Sequence, residues 1–326
     1  MRPHGARLRI GTRSSALALW QTERVRSLLR ASGSETDRVE IKTTGDLTPD
    51  IPLTRIGSRA LFTKQIDDAL LENRIDLAVH SLKDLPTELP SGIIIAAVSV
   101  REDPRDALVG RTPLRWTDLP KGAVIATSSL RRRAQLLNSR PDLRLVDIRG
   151  NVDTRLAKLD AQSEWSGIVL ATAGLVRLGL AERIGERLPP DIMLPAPGQG
   201  ALAVTVRAGD VEVQTAVHEA VHDAATSVEV AAERAFLRRL EGGCQVPVAA
   251  YAQLDRTSSE SRLRLRGRVI SLGGESAVEG REAGPAGSEM AAEALGTTLA
   301  ERLLAEGAAT ILAEVRAAVA PVVTEP

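Results

Sequence analysis

Leu8-Arg9-Ile10-Gly11-Thr12-Arg13-Ser14-Ser15 and Ala123-Val124-Ile125-Ala126-Thr127-Ser128-Ser129 are two copies of one layout. Each is a short apolar run that reads as a strand, closed by hydroxyl residues. Each is followed by a stretch with helical spacing of its apolar residues, 16–30 after the first and 130–138 after the second. A serine at such a junction can cap the helix, and the amides exposed there favour an anion. The second elements correspond as well. A strand over 39–42 has a counterpart over 143–148, the latter ending in Arg149-Gly150-Asn151 before a helix over 152–159. The third pair is a strand over 75–79, ending in His80-Ser81-Leu82-Lys83-Asp84, and one over 167–170, ending in Ala171-Thr172-Ala173-Gly174. Helical stretches such as 64–72 lie between strands.

Alternating strands and helices predict parallel sheets covered on both faces, with ligands at the carboxyl ends of the strands. Two such units in tandem predict a two-lobed clamshell with a cleft between the lobes. Pro104 is the expected hinge, and 194–200 the second crossing point. Beyond residue 220 the pattern changes. A mainly helical segment over 211–240 leads to a glycine turn holding Cys244. Strands over 248–254, 262–270 and 275–280 follow, then helix over 289–318, as expected of a smaller α+β domain.

Composition excludes several function classes. Lys plus Arg and Asp plus Glu are 42 each, so the net charge is zero, against broad nucleic-acid or anionic-membrane binding. Aromatics make up 2%, too few for base-stacking platforms. A single cysteine excludes an intrachain disulfide framework and fits a reducing compartment. The amino-terminal region has no apolar stretch long enough for a signal peptide, and no run approaches a membrane span, so a cytoplasmic location is expected. Of the 42 basic residues five are Lys and 37 Arg, a bias that codon usage accounts for in bulk. Arg13, Arg131, Arg132, Arg149, Arg155 and Arg177, however, all sit at or just beyond strand ends. A converging set of guanidinium forks implies a ligand with several carboxylates or phosphates.

Four other features have two readings each. His218-Glu219-Ala220-Val221-His222 has the H-E-x-x-H form of a zinc site, or is a surface helix; the latter is expected, and no metal. His80 is a general base or a packed histidine. Lys83-Asp84 is a catalytic pair, with the carboxylate partly desolvated, or a structural ion pair. Cys244 is a nucleophile or a small buried residue. The residues alone thus leave open an anion-binding clamshell, a zinc hydrolase and an imine-forming enzyme using Lys83.

Eight segments, in order along nearly the whole chain, carry a resemblance: 10–21, 61–64, Ala78-Val79-His80-Ser81-Leu82-Lys83-Asp84, 101–107, 127–132, Arg149-Gly150-Asn151-Val152, 197–201 and Leu240-Glu241-Gly242-Gly243-Cys244-Gln245-Val246-Pro247. In these the chain closely resembles the porphobilinogen deaminase (hydroxymethylbilane synthase) family, with Gln65 where Glu is common and Ala60 where Gly is common. The resemblance implies two clamshell α/β lobes with mixed sheets like those of periplasmic binding proteins, plus a smaller C-terminal α+β domain. Domain 1 would be 1–103 with 200–219, domain 2 104–199, and domain 3 220–326. It implies a cytoplasmic, monomeric transferase that joins four porphobilinogen units head to tail with loss of ammonia. A dipyrromethane cofactor would be held by a thioether at Cys244, with Asp84 as the catalytic aspartate. Cofactor and substrate would be bound by the six arginines above, by Ser15, Lys83, Thr127, Ser128, Ser129, Gly150, Gly174, Gln199 and Gly200, and by Phe62 covering the cleft.

Overall fold

The structure, a computed structural model, describes residues 7–43, 63–240, 246–255 and 261–319. In chain order the elements are β1 (Leu8–Thr12), α1 (Ala16–Ala31), β2 (Thr36–Glu40), α2 (Lys64–Leu71), β3 (Leu77–Ser81), β4 (Ile93–Val98), β5 (Asp106–Val109), β6 (Val124–Ala126), α3 (Leu130–Ser139) and β7 (Arg144–Val146). Then come α4 (Val152–Ala161), β8 (Gly167–Ala171), α5 (Thr172–Arg177), β9 (Glu186–Arg187), β10 (Leu202–Arg207), α6 (Val211–Val221) and α7 (Ala224–Arg239). The last are β11 (Val248–Asp255), β12 (Arg262–Ile270), β13 (Ala277–Pro285), α8 (Glu289–Leu303) and α9 (Ala309–Val319).

Contacts divide the described chain into two compact units: 7–43, 63–102 and 200–227 in the first, and 103–199 with 228–319 in the second. In the first unit the strand order is β2-β1-β3-β10-β4, with β1 parallel to β2 and β3, and β10 antiparallel to β3 and β4. The second unit repeats this as β7-β6-β8-β5-β9, with β6 parallel to its two neighbours and β5 antiparallel to β8 and β9. Each sheet is therefore mixed, as the family resemblance implies, and not wholly parallel as the alternation alone suggests. The physical reason lies in how the fourth strand arrives. β5 follows directly from β4, and β10 returns after β9, so neither is delivered by the helical crossover that makes a parallel neighbour. β11-β12-β13 form a third, antiparallel sheet in the second unit.

On one face of the first sheet, α1 and α6 bury Val25, Leu29, Val213 and Val217 against Ile10, Leu77, Val79 and Val204. On the other, α2 buries Ile66, Ala69 and Leu70 against Ile75 and Ala78. In the second sheet Ile125, Leu108 and Val169 pack on Leu136, while Ala126 and Ile168 pack on Leu156 and Leu159. The third sheet packs Leu263 and Leu265 on Phe236, Leu299 and Leu303. These pairings bury alternate strand residues on opposite faces, the period-2 rule on which both halves are built.

Several boundaries differ from the local pattern: the third strand of the last sheet runs over Ala277–Pro285 and not 275–280, and the helix expected over 289–318 is divided into α8 and α9. β2 begins at Thr36, an edge strand whose exposed polar residues conceal it. β3 continues to Ser81 because β10 pairs with it, Leu202 opposite Ser81 and Ala203 opposite His80, a partner more than 120 residues away. Among the described residues no helix is long and apolar enough to cross a membrane.

Candidate active site

In the first unit the strand–serine–helix junction is realised with Ser15 as the cap of α1, its hydroxyl accepting from the Ala18 amide at 3.3 Å. Thr12, fully buried, turns its hydroxyl to the carbonyls of Arg13 and Ala18. β3 ends at Ser81, whose hydroxyl accepts from the Gln21 amide of α1 at 2.8 Å. Leu82 then anchors a single 3-10 turn, Leu82–Asp84, its side chain wholly buried and its amide donating to the Ala201 carbonyl. Lys83 is half-buried on that turn and Asp84 is exposed. The partial desolvation expected of Asp84 is thus absent, because the turn carries it past the covered strand end.

A pocket at this place is lined by Arg13, Ser15, Gln21, Thr63, His80, Ser81 and Asp84. His80 is buried in its wall, with Nε2 3.1 Å from the Thr205 hydroxyl. Burial lowers its pKa to about 4, helped by the nearby Arg13 guanidinium. It is therefore neutral at physiological pH, the packed histidine expected of the strand. Thr63 and Gln21 are pocket residues that sequence reading missed. Their only signal was position, one capping α2 and the other one turn into α1.

The second unit holds the same junction with Ser129 as the cap of α3. Thr127 is buried, and Ser128 both donates to the Ile148 carbonyl (2.8 Å) and accepts from its amide (3.0 Å). Ser128 therefore ties the end of β6 to the segment after β7. The arginine triplet splits as helical geometry requires. Arg133 turns to Asp147 at 3.6 Å, while Arg131 and Arg132 are buried. Both meet one carboxylate, Asp106, which is fully buried: Arg131 Nη1 lies 2.7 Å from Oδ2, and Arg132 Nη2 2.8 Å from Oδ1. Arg131 also donates to the Leu194 carbonyl and Arg132 to that of Val169.

A buried ion cluster of this kind holds only with close pairing and added hydrogen bonds, which these carbonyls supply. Nε and Nη2 of Arg131 have no partner among the described residues, and neither has the half-buried guanidinium of Arg149. Arg155 reaches back to the Gly150 carbonyl at 2.8 Å, fixing a turn in which Gly150 has φ +113°. Arg177 is buried at the end of α5, where Gly174 also lies buried. Asp106 went unnoticed in the sequence; its signal was a lone acid opening the apolar run of β5.

Gln199 and Gly200 stand on the segment between β9 and β10. Gln199 is buried and donates to the Pro104 carbonyl (2.7 Å) and to Asp106 (3.1 Å), which locks the second crossing to the first. Gly200 has φ +95°, and a Cβ there would collide with the Glu102 carbonyl. Glu233 of α7 holds the same segment, accepting from the Gly198 amide at 2.7 Å and the Ala252 amide at 2.8 Å. Phe62 and Cys244 lie outside the described residues.

The H-E-x-x-H segment is divided by a helix end. α6 stops at Val221, and His222 is its extended C-cap. The two imidazoles stack with centroids 4.1 Å apart, and His218 Nδ1 lies 3.2 Å from the Ala96 carbonyl. No cluster of three or more metal-ligating side chains occurs among the described residues. Replacing both histidines by alanine is expected to leave turnover at its wild-type level; loss of turnover together with stoichiometric zinc in the wild-type protein would contradict this.

Residues 8–215 match the family described as porphobilinogen deaminase, dipyromethane cofactor binding domain, and residues 227–305 match its C-terminal domain. The chain belongs to the porphobilinogen deaminase family. The porphobilinogen deaminase of Rubrobacter xylanophilus is 52% identical over 310 residues, covering 95% of this chain and 98% of that one. That of Syntrophotalea carbinolica is 51% identical over 308 residues, with 94% and 95% covered, and that of Geotalea uraniireducens 49% over 310, with 94% of each. The first family match ends within α6 and the second begins within α7, where the chain passes from the first unit to the second after Ser227. Arg131 and Arg149 of the second unit fit a dipyrromethane, whose pyrroles carry acetates and propionates: they offer guanidinium nitrogens with no partner among the described residues, which carboxylates would satisfy.

Proposed function

We propose that this chain condenses four porphobilinogen molecules head to tail, releasing ammonia at each step, into hydroxymethylbilane. The observation that carries the reading is the match to both family domains over 8–215 and 227–305. The chain acts as a cytoplasmic monomer, with Cys244 as the point of attachment of the dipyrromethane. When bound, that group supplies the pyrrole carbon to which the first unit is joined.

The chain's own residues bind, orient and move protons. The Asp84 carboxylate sits on an anchored turn at a strand end, where it can face a pyrrole N–H, stabilise positive charge developing on the ring and exchange a proton with it. Arg13 in the first unit, and Arg131, Arg132, Arg149, Arg155 and Arg177 in the second, take ring carboxylates as charge-assisted bonds. Lys83 adds a further cation beside Asp84. Ser15, Thr127, Ser128 and Ser129 set the backbone amides of the two junctions, and Gly150, Gly174, Gln199 and Gly200 fix the turns that bring the chain past the ligand.

The test is to follow ammonia release and bilane formation from porphobilinogen, with Arg149→Leu beside the wild type. A half-buried guanidinium without a partner among the described residues can be removed at little expense to the fold. Its loss removes a charge-assisted contact worth about 1.5–3 kcal/mol, so elongation is expected to slow roughly ten- to hundred-fold, with shortened bound chains accumulating. Wild-type elongation in that variant would remove Arg149 from the site; a wild-type protein that releases no ammonia would overturn the function.

A further inference from the structure

The face of the first sheet that receives α2 is apolar over Ile75 and Ala78 and becomes polar toward the strand ends. His80 and Thr205 meet there. From α2 come Thr63, its cap residue, and Asp67, one turn further on. Thr63 is 2% exposed and Asp67 3%, yet neither Thr63 Oγ1 nor Asp67 Oδ1 makes a hydrogen bond. Buried polar atoms are seldom left unpaired, and each such atom calls for an explanation. Two on successive turns of one helix, with Thr63 in the pocket wall beside Asp84 and Ser15, point to a donor that arrives with a ligand.

The pocket presents two kinds of group. Arg13 is a cation for carboxylates, whereas a carboxylate and a hydroxyl offer acceptor oxygens. Porphobilinogen carries both complements, carboxylates on the ring and an aminomethyl arm that is an ammonium at neutral pH. We propose that Thr63 and Asp67 receive this ammonium, the Thr63 hydroxyl accepting its N–H in the pocket wall and the Asp67 carboxylate behind it supplying the compensating charge. The proposal deepens the function argued above and rests on it. In the reaction the C–N bond breaks with its electron pair leaving on nitrogen as ammonia, and the positive charge stays on the pyrrole. Asp67 exchanges no atom in that step, so it is a positioning residue for the bound amine.

Burial raises the Asp67 carboxyl to about 6 and Asp68 adds to the rise, while the Thr63 hydroxyl, near the carboxyl but short of a formed hydrogen bond, eases it in part. Other charged groups stand on α2 and on the strands packed against it. β1 brings Arg9, paired with Asp76, and β10 brings Arg207, paired with Asp76 and Asp210. β3 brings the neutral His80, β4 has no titratable side chain, and α2 itself adds Lys64 and Asp68. A raised carboxyl pKa means that Asp67 takes up a proton as pH falls through about 6, losing its charge for the amine.

The experiment compares, in the holoenzyme, the KM for porphobilinogen with the inhibition constant of its analogue bearing methyl in place of aminomethyl. Asp67→Asn and Thr63→Val are both expected to raise KM about ten-fold or more, the effect of one lost contact to a charged group, with the analogue's inhibition constant unchanged. The wild-type KM is expected to rise between about pH 7 and pH 5, and that rise to vanish in Asp67→Asn. Unchanged KM in both variants would overturn the proposal, as would KM and the inhibition constant rising together, the mark of a merely structural role. A wild-type protein that neither consumes porphobilinogen nor is inhibited by the analogue would overturn the underlying function, and this proposal with it.

Discussion

Asp84→Asn is expected to lower turnover by about 10²- to 10⁴-fold, the scale of a lost acid–base group. The substitution keeps shape and removes charge. Asp84 lies exposed on a turn whose anchor is the buried Leu82, so the turn does not depend on the carboxylate for its place. An exposed substitution of this kind changes stability by no more than about 0.5 kcal/mol, so the melting temperature should stay near wild type while turnover falls. What is lost is the negative charge beside the pyrrole nitrogen when positive charge develops on the ring. Neither the neighbouring Lys83 nor the neutral His80 can supply it, the one being a cation and the other buried against Thr205. Measured ammonia release near the wild-type rate would remove Asp84 from the chemistry.

Cys244→Ser is expected to abolish activity through a different route. A thioether forms when a thiolate adds to an electrophilic carbon, and a serine hydroxyl is a far weaker nucleophile at neutral pH. The two side chains are nearly isosteric, so the variant should fold. It should give no colour with an acidic aldehyde reagent for pyrroles and should release no ammonia from added porphobilinogen. The flanking Gly242 and Gly243 bring no side chains against a bulky group at the sulfur. A serine variant that keeps the colour and full turnover would place the attachment elsewhere. The two variants separate anchoring from chemistry, because Asp84→Asn should retain the pyrrole colour that Cys244→Ser lacks.

Much of the fold was legible because its signals are local. The junctions at Ser15 and Ser129 show as hydroxyls between an apolar run and a helical pattern, and both prove to be helix caps. The strand Arg262–Ile270 lies where its alternation puts it. The antiparallel place of β5 and β10 was not legible, since it depends on where the chain re-enters a sheet and leaves no periodicity. The site divides in the same way. Arginines at strand ends are visible in sequence, but their sharing of Asp106 comes from pairing between α3 and β5, 25 residues apart. The orphaned oxygens of Thr63 and Asp67 could not be read at all, because a threonine and an aspartate at a helix start look like ordinary first-turn residues.

The central claim, elongation on a primer anchored at Cys244, is tested most directly by the intact mass of the purified wild-type protein before and after porphobilinogen is added in limiting amount. The prediction is a starting mass above that of the polypeptide by two linked pyrroles, located by peptide mapping at Cys244, and a ladder of equal increments on addition of substrate. A starting mass equal to the bare polypeptide that shows no increments with substrate would contradict it.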